Sequence, residues 1–133
     1  MDDQCLNMLA LRCTNLERLG ISYIEVPEQL IRDAVLRLQK LKELDLAWVL
    51  SIGVEFFEFL AMNARKLERL NICGVKSATP IALVQLADHK AYHAGLDPEQ
   101  CTPLRWLNVK FTNVPRPALE QLQITHKELQ IVM

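Results

Sequence analysis

The apolar positions of this chain fall into a phrase that recurs. Leucine, two residues, leucine, one residue and then an aliphatic residue is written at Leu16-Leu19-Ile21, Leu41-Leu44-Leu46, Leu67-Leu70-Ile72 and Leu104-Leu107-Val109. A weaker echo at Leu129 and Val132 runs into Met133. Successive phrases begin 25, 26, 37 and 25 residues apart, so three of the four intervals agree within one residue. The second leucine and the aliphatic residue alternate with the period of a strand that buries one face. After a turn, each phrase is followed by apolar residues at helical spacing. In "PEQLIRDAVLRLQKL" these are Leu30, Ile31, Ala34, Leu38 and Leu41; in "VEFFEFLAMNARKL" they are Phe56, Phe57, Leu60, Ala64 and Leu67. "TPIALVQLADHKAYH" opens with Thr79 as an N-cap and Pro80 at the first helical position. "RPALEQLQITHKEL" carries Pro117 early, and "CLNMLALRC" reads as the closing helix of a unit.

A strand followed by a helix at this period predicts a parallel sheet with right-handed crossovers. One unit cannot bury its leucines alone, whereas stacked units bury them continuously. The expectation is therefore α/β: an open curved solenoid forming a single domain over residues 1–133, with about four strand–helix units. The long interval implies an insertion near residues 88–100. The five phrases resemble the leucine-rich-repeat family over nearly the whole chain, which implies strands on the concave face and helices on the convex one.

Three residues before each strand-opening leucine stand Cys13, Leu38, Ala64, Cys101 and His126. "LNMLALRCTNLERLGIS" resembles the cysteine-containing repeats of F-box leucine-rich-repeat proteins. That resemblance implies the substrate-recognition array of a ubiquitin ligase adaptor, with Cys13 and Cys101 as small buried packing residues. A different class is a structural or assembly subunit of a larger complex, for example a mitochondrial one. "VPEQLIRDAVLRL" loosely resembles the start of an F-box helix, but it occupies the repeat's helix slot and reads as convex helix. One departure concerns the turns. The family places Asn or Cys eight residues after the first leucine, and here Ile24, Val49, Val75 and Thr112 stand there. The turn backbone must find its partners elsewhere.

In a solenoid of this family the residues between the strand leucines line the concave face, which members commonly use for binding. That makes Arg18, Glu43, Asp45, Arg69, Asn71, Trp106 and Asn108 the candidate partner-binding residues. A second reading competes. Neighbouring strands lie about 4.8 Å apart, so equivalent positions stand side by side. One column then runs Glu17, Lys42, Glu68, Arg105 and the next Arg18, Glu43, Arg69, with neighbours of opposite sign throughout. Such pairs serve register as well as recognition. Trp106 interrupts the second column. It reads either as an exposed anchor or as a ring covered by "HKAYHAGLDPEQ", with Tyr92 as the cover. Tyr23, Trp48 and Phe111 share the strand exit and read as turn packing.

Composition removes alternatives. With 15 basic and 16 acidic residues, a net charge of −1 gives no electrostatic case for nucleic acid. The longest uncharged apolar run, Ala47–Val54, is far too short for a membrane span. The start lacks the basic, then continuously apolar, character of a secretory signal. The four cysteines are therefore expected as thiols in an intracellular setting, cytoplasmic or nuclear, with mitochondria left open. No C-x-x-C occurs, and the i, i+4 pair His89 and His93 lacks the glutamate of a zinc-protease helix. No catalytic motif, cofactor or metal is expected, so the partners should be proteins. The sequence begins inside a helix and ends on a strand without a polar capping unit at either end, so a fragment of or subunit within a larger assembly is expected, its ends covered by further repeats or another subunit. Left bare, the chain should self-associate.

Overall fold

The computed structural model describes residues 3–133. Five helices alternate with five short strands. They are α1 (Asp3–Arg12), β1 (Arg18–Gly20), α2 (Glu28–Arg37), β2 (Glu43–Asp45), α3 (Glu55–Asn63), β3 (Arg69–Asn71), α4 (Pro80–Leu96), β4 (Trp106–Asn108), α5 (Arg116–Thr125) and β5 (Gln130–Val132). The strands pair parallel in chain order, and the helices pack in the same order. This is the α/β repeat solenoid that the leucine phrase predicts.

The sheet register shows why the phrase works. Leu19, Leu44, Leu70 and Leu107 stand side by side, and Ile131 completes the row. The first four are buried, as are Ile21, Leu46, Ile72 and Val109 two residues on. Both rows face the helices, whose apolar sides supply Ile31, Ala34, Phe56, Phe57, Leu60, Leu83, Leu86, Leu119 and Leu122. One continuous core results, and each unit closes against its neighbours rather than on itself.

Helix starts follow local chemistry. Thr79 Oγ1 accepts from the Ala82 N–H at 3.1 Å ahead of Pro80, as the cap reading predicts. α2 and α5 begin after Pro27 and Pro115, in extended backbone with no side-chain cap. At the other end, the N–H groups of Leu38, Ala64 and His126 close α2, α3 and α5. Those are the positions three residues before the strand leucines.

Two expectations need correction, and the two alternatives left open for Trp106 are resolved. The segment near residues 88–100 does not cover Trp106. It extends α4 to 17 residues, against 9 or 10 in its neighbours, and lies on the convex side. Tyr92 is accordingly 65% exposed and meets His93 instead. Cys13 is exposed and Cys101 half-buried, so neither is a buried packing residue. Lastly, β5 pairs one residue out of step with the phrase. Leu129 donates its N–H to the His126 carbonyl, as Leu16, Leu41 and Leu67 do to the residue three back, yet Ile131 and not Val132 sits beside Leu107. The fifth unit is one residue short. Gln123 of α5 spans the tightened turn, donating to the carbonyls of His126 and Leu129 and accepting from the Ile131 N–H.

The extra turns of α4 carry Lys90, the one charged side chain buried among the described residues. Its ammonium donates to the Ala64 carbonyl at 2.7 Å and the Arg65 carbonyl at 3.3 Å, at the end of α3 where helix carbonyls lack partners. Burial pushes its pKa down to about 8.

Candidate functional site

Strand side chains alternate between the faces of the sheet, so the residues flanking each buried central leucine point away from the helices. Arg18 and Gly20, Glu43 and Asp45, Arg69 and Asn71, Trp106 and Asn108 therefore share the open face. All seven candidate residues lie on this face. They form two adjoining rows with different work.

The row Arg18, Glu43, Arg69, Trp106 is a chain of contacts. Glu43 sits between two guanidinium groups, 3.6 Å from Arg18 Nε and 3.5 Å from Arg69 Nε. Arg69 lies over the Trp106 ring, 4.4 Å from its centroid. The parallel row just before it holds Lys42–Glu17 at 2.9 Å and Arg105–Glu68 at 2.9 Å. Lys42, hydrogen-bonded to Glu17, holds that carboxyl below the usual carboxylate range, and the same bond raises the Lys42 ammonium. These groups are exposed or half-exposed, so solvent screens the pairs and they contribute little to stability. Their effect is to fix rotamers. The side chains of Arg18, Arg69 and Arg105 remain 80%, 47% and 55% accessible, so most of their donors still face solvent. Arg105 belongs to this surface although the strand pattern alone did not single it out.

The second row is occupied locally. Asp45 accepts from the Ala47 N–H at 3.0 Å, Asn71 from Cys73 at 3.0 Å, and Asn108 from Lys110 at 3.1 Å. Each is an Asx turn that bends the chain out of its strand. Together with the Val49, Val75 and Thr112 N–H groups, which donate to carbonyls three residues back, these bonds replace the missing Asn or Cys of the turn. Gly20 takes this position in the first unit, leaving a shallow depression of about 240 Å³ among Arg18, Asp45, Arg69 and Trp106.

At the strand exits stands a feature that sequence reasoning assigned to packing. Tyr23, Trp48 and Phe111 have φ of 62°, 61° and 60°, and Gly74 occupies the equivalent site at 76°. For a residue with a side chain this left-handed conformation costs about 1–2 kcal/mol. Tyr23 and Phe111 are nonetheless 74% and 65% exposed. Their rings and that of Trp48 form a row, with centroids 6.5 Å apart from Tyr23 to Trp48 and 6.0 Å from Trp48 to Phe111. The Trp48 ring bridges the gap by lying over Gly74, where a Cβ would come within 2.2 Å of it. The recurring sequence position signalled this row, but not its exposure.

His89 and His93 meet edge to face on α4, and among the described residues no cluster of His, Cys, Asp or Glu could hold a metal ion. No helix among the described residues is long and apolar enough to cross a membrane.

The geometry defines a repeat solenoid of the leucine-rich-repeat type, with an open face of ordered charged and aromatic side chains. No family model and no curated protein matches the chain. Among solved structures it is similar to a leucine-rich-repeat protein of Leptospira interrogans, at 15% identity and a TM-score of 0.48. The match covers 90% of this chain and 38% of that one, so the chain spans well under half of that protein's length.

Proposed function

We propose that the chain is a non-catalytic protein-interaction module that receives its partner on the concave face, around Arg69 and Trp106. The observation that carries this reading is the contact chain Arg18–Glu43–Arg69–Trp106, which runs unbroken across four strands of an open face. It orders three groups of the kinds that dominate binding energy, two arginines and a tryptophan, before any partner arrives. Asp45, Asn71 and Asn108 support the site by shaping the strand exits, and their remaining polar atoms face the same surface.

The setting we propose is the substrate-recognition array of an F-box-type ubiquitin ligase adaptor, in the cytoplasm or nucleus. The support is the cysteine-containing form of the repeat around Cys13 and Cys101. The second reading, an assembly subunit of a larger complex, draws on the sheet, whose outer edges at β1 and β5 have no strand partner among the described residues.

Affinity purification of the tagged chain from its own cells separates the readings. Cullin-ligase components identify the first, and stoichiometric subunits of one organelle complex identify the second. In either case Arg69→Ala with Trp106→Ala should lower partner recovery by ~100-fold, as loss of two anchors would. Undiminished recovery places the binding site elsewhere.

A further inference from the structure

We propose that the aromatic row at the strand exits is a second docking site, separate from the concave face, for an extended peptide segment carrying alternate apolar side chains and a basic residue. Burial does not account for the row. Tyr23 and Phe111 are largely exposed and sit in a backbone conformation better suited to glycine or asparagine. A packing role would have selected those residues. Rings held in that conformation and left in water mark a surface kept for a ligand.

The row continues into an open groove of about 700 Å³ lined by Tyr23, Ile24, Pro27, Trp48 and Leu50. Leu50 is 74% exposed. This volume is that of a pocket for a drug-sized ligand, room for a short stretch of peptide with its apolar side chains. Ring spacings of 6.5 and 6.0 Å match the roughly 6.6 Å between side chains i and i+2 of an extended chain, which point the same way. Charge sets the rest of the occupant's chemistry. Glu25 lines the groove, is exposed, and has no ion-pair or hydrogen-bond partner among the described residues. At the other end Lys76 donates to the Phe111 carbonyl and lies 5.9 Å from the Trp48 ring centroid. The row is thus acidic at the Tyr23 end and basic at the Phe111 end. An extended peptide with an arginine or lysine beside its apolar anchor, lying with that residue over Glu25, satisfies both the spacing and the charge.

The test is to pan a displayed library of random dodecapeptides against the full chain. The expected result is enrichment of sequences with apolar residues at i and i+2 and a basic residue next to one of them. Retention of those peptides should fall ~tenfold or more in the Tyr23→Ser/Leu50→Ser variant. Glu25→Lys should exchange the basic preference for an acidic one, and Arg69→Ala should bind as the wild type does. These positions are exposed, so circular dichroism should show each variant folded with an unchanged melt. The proposal is overturned by an absence of enrichment, by equal retention on the Tyr23→Ser/Leu50→Ser variant, or by a charge preference that Glu25→Lys leaves intact. It is also overturned if light scattering shows a dimer that Tyr23→Ser/Leu50→Ser dissolves without any peptide binding, which would assign the groove to a second copy. Loss of peptide binding in Arg69→Ala would return the site to the concave face.

Discussion

Gly74 meets two demands that a side chain cannot meet together: a φ of +76° and a tryptophan ring on top of it. Gly74→Ala should therefore cost about 2–3 kcal/mol, part from the left-handed backbone and part from crowding of Trp48. Urea unfolding of the single variants and of Gly74→Ala/Trp48→Ala separates the parts. Against a Trp48→Ala background the crowding part should vanish and about 1–2 kcal/mol should remain. Lys90 offers a second residue-scale test. Its folded pKa of about 8 lies below the ordinary 10.5. Between these values the unfolded chain binds more protons than the folded one, so stability rises with pH there. Below pH 8 both states hold the proton and the cost of burying the charge is present in full. Lys90→Met should lose about 1–3 kcal/mol at neutral pH by stripping a donor from the Ala64 and Arg65 carbonyls. The gap between wild type and variant should widen between pH 8 and pH 10 in paired denaturant curves. A constant gap would show that the amine does not titrate in that window.

Among the elements, the helix caps and the shortened fifth unit are the most exposed to single changes. Thr79→Ala removes the one side-chain cap identified at a helix start and should cost about 1 kcal/mol, with Thr79→Asp close to neutral. Gln123→Ala should release the turn before β5, and amide exchange of Ile131 should accelerate well before that of Leu107 does. The element pattern was legible because burial alternates faithfully. Leu44, Leu70 and Leu107 announce strands, and Phe56, Phe57 and Leu60 announce a helix face. The register of β5 was not legible, since Leu129 and Val132 satisfy the phrase while the backbone skips one residue between them. The path of the insertion was hidden for a related reason. Residues 88–96 carry helical spacing that simply continues α4, and no apolar residue there is obliged to cross the sheet. At the candidate site, the sign alternation of Glu17, Lys42, Glu68 and Arg105 foretold the pairing. The Asx turns of Asp45, Asn71 and Asn108 were not foretold, because a short polar residue at a strand end reads equally as a ligand contact.

Over the whole molecule, stability should follow position in the stack. α3 buries four of its residues between two neighbouring helices, whereas α5 buries two at one side. Native-state hydrogen exchange should therefore rank β2, β3 and α3 most protected, with α1, α5 and β5 opening first and without global unfolding. Uniform protection across all five units would instead indicate a single cooperative block. Repeat arrays are commonly treated as interchangeable blocks whose order is a matter of sequence alone. Trp48 resting on Gly74 breaks that symmetry. A copy of the third unit placed after itself would leave its glycine turn bare, and two copies of the second would thrust a Cβ into the neighbouring indole. The second and third units are thus a matched couple, to be cut, shuffled or transplanted only together.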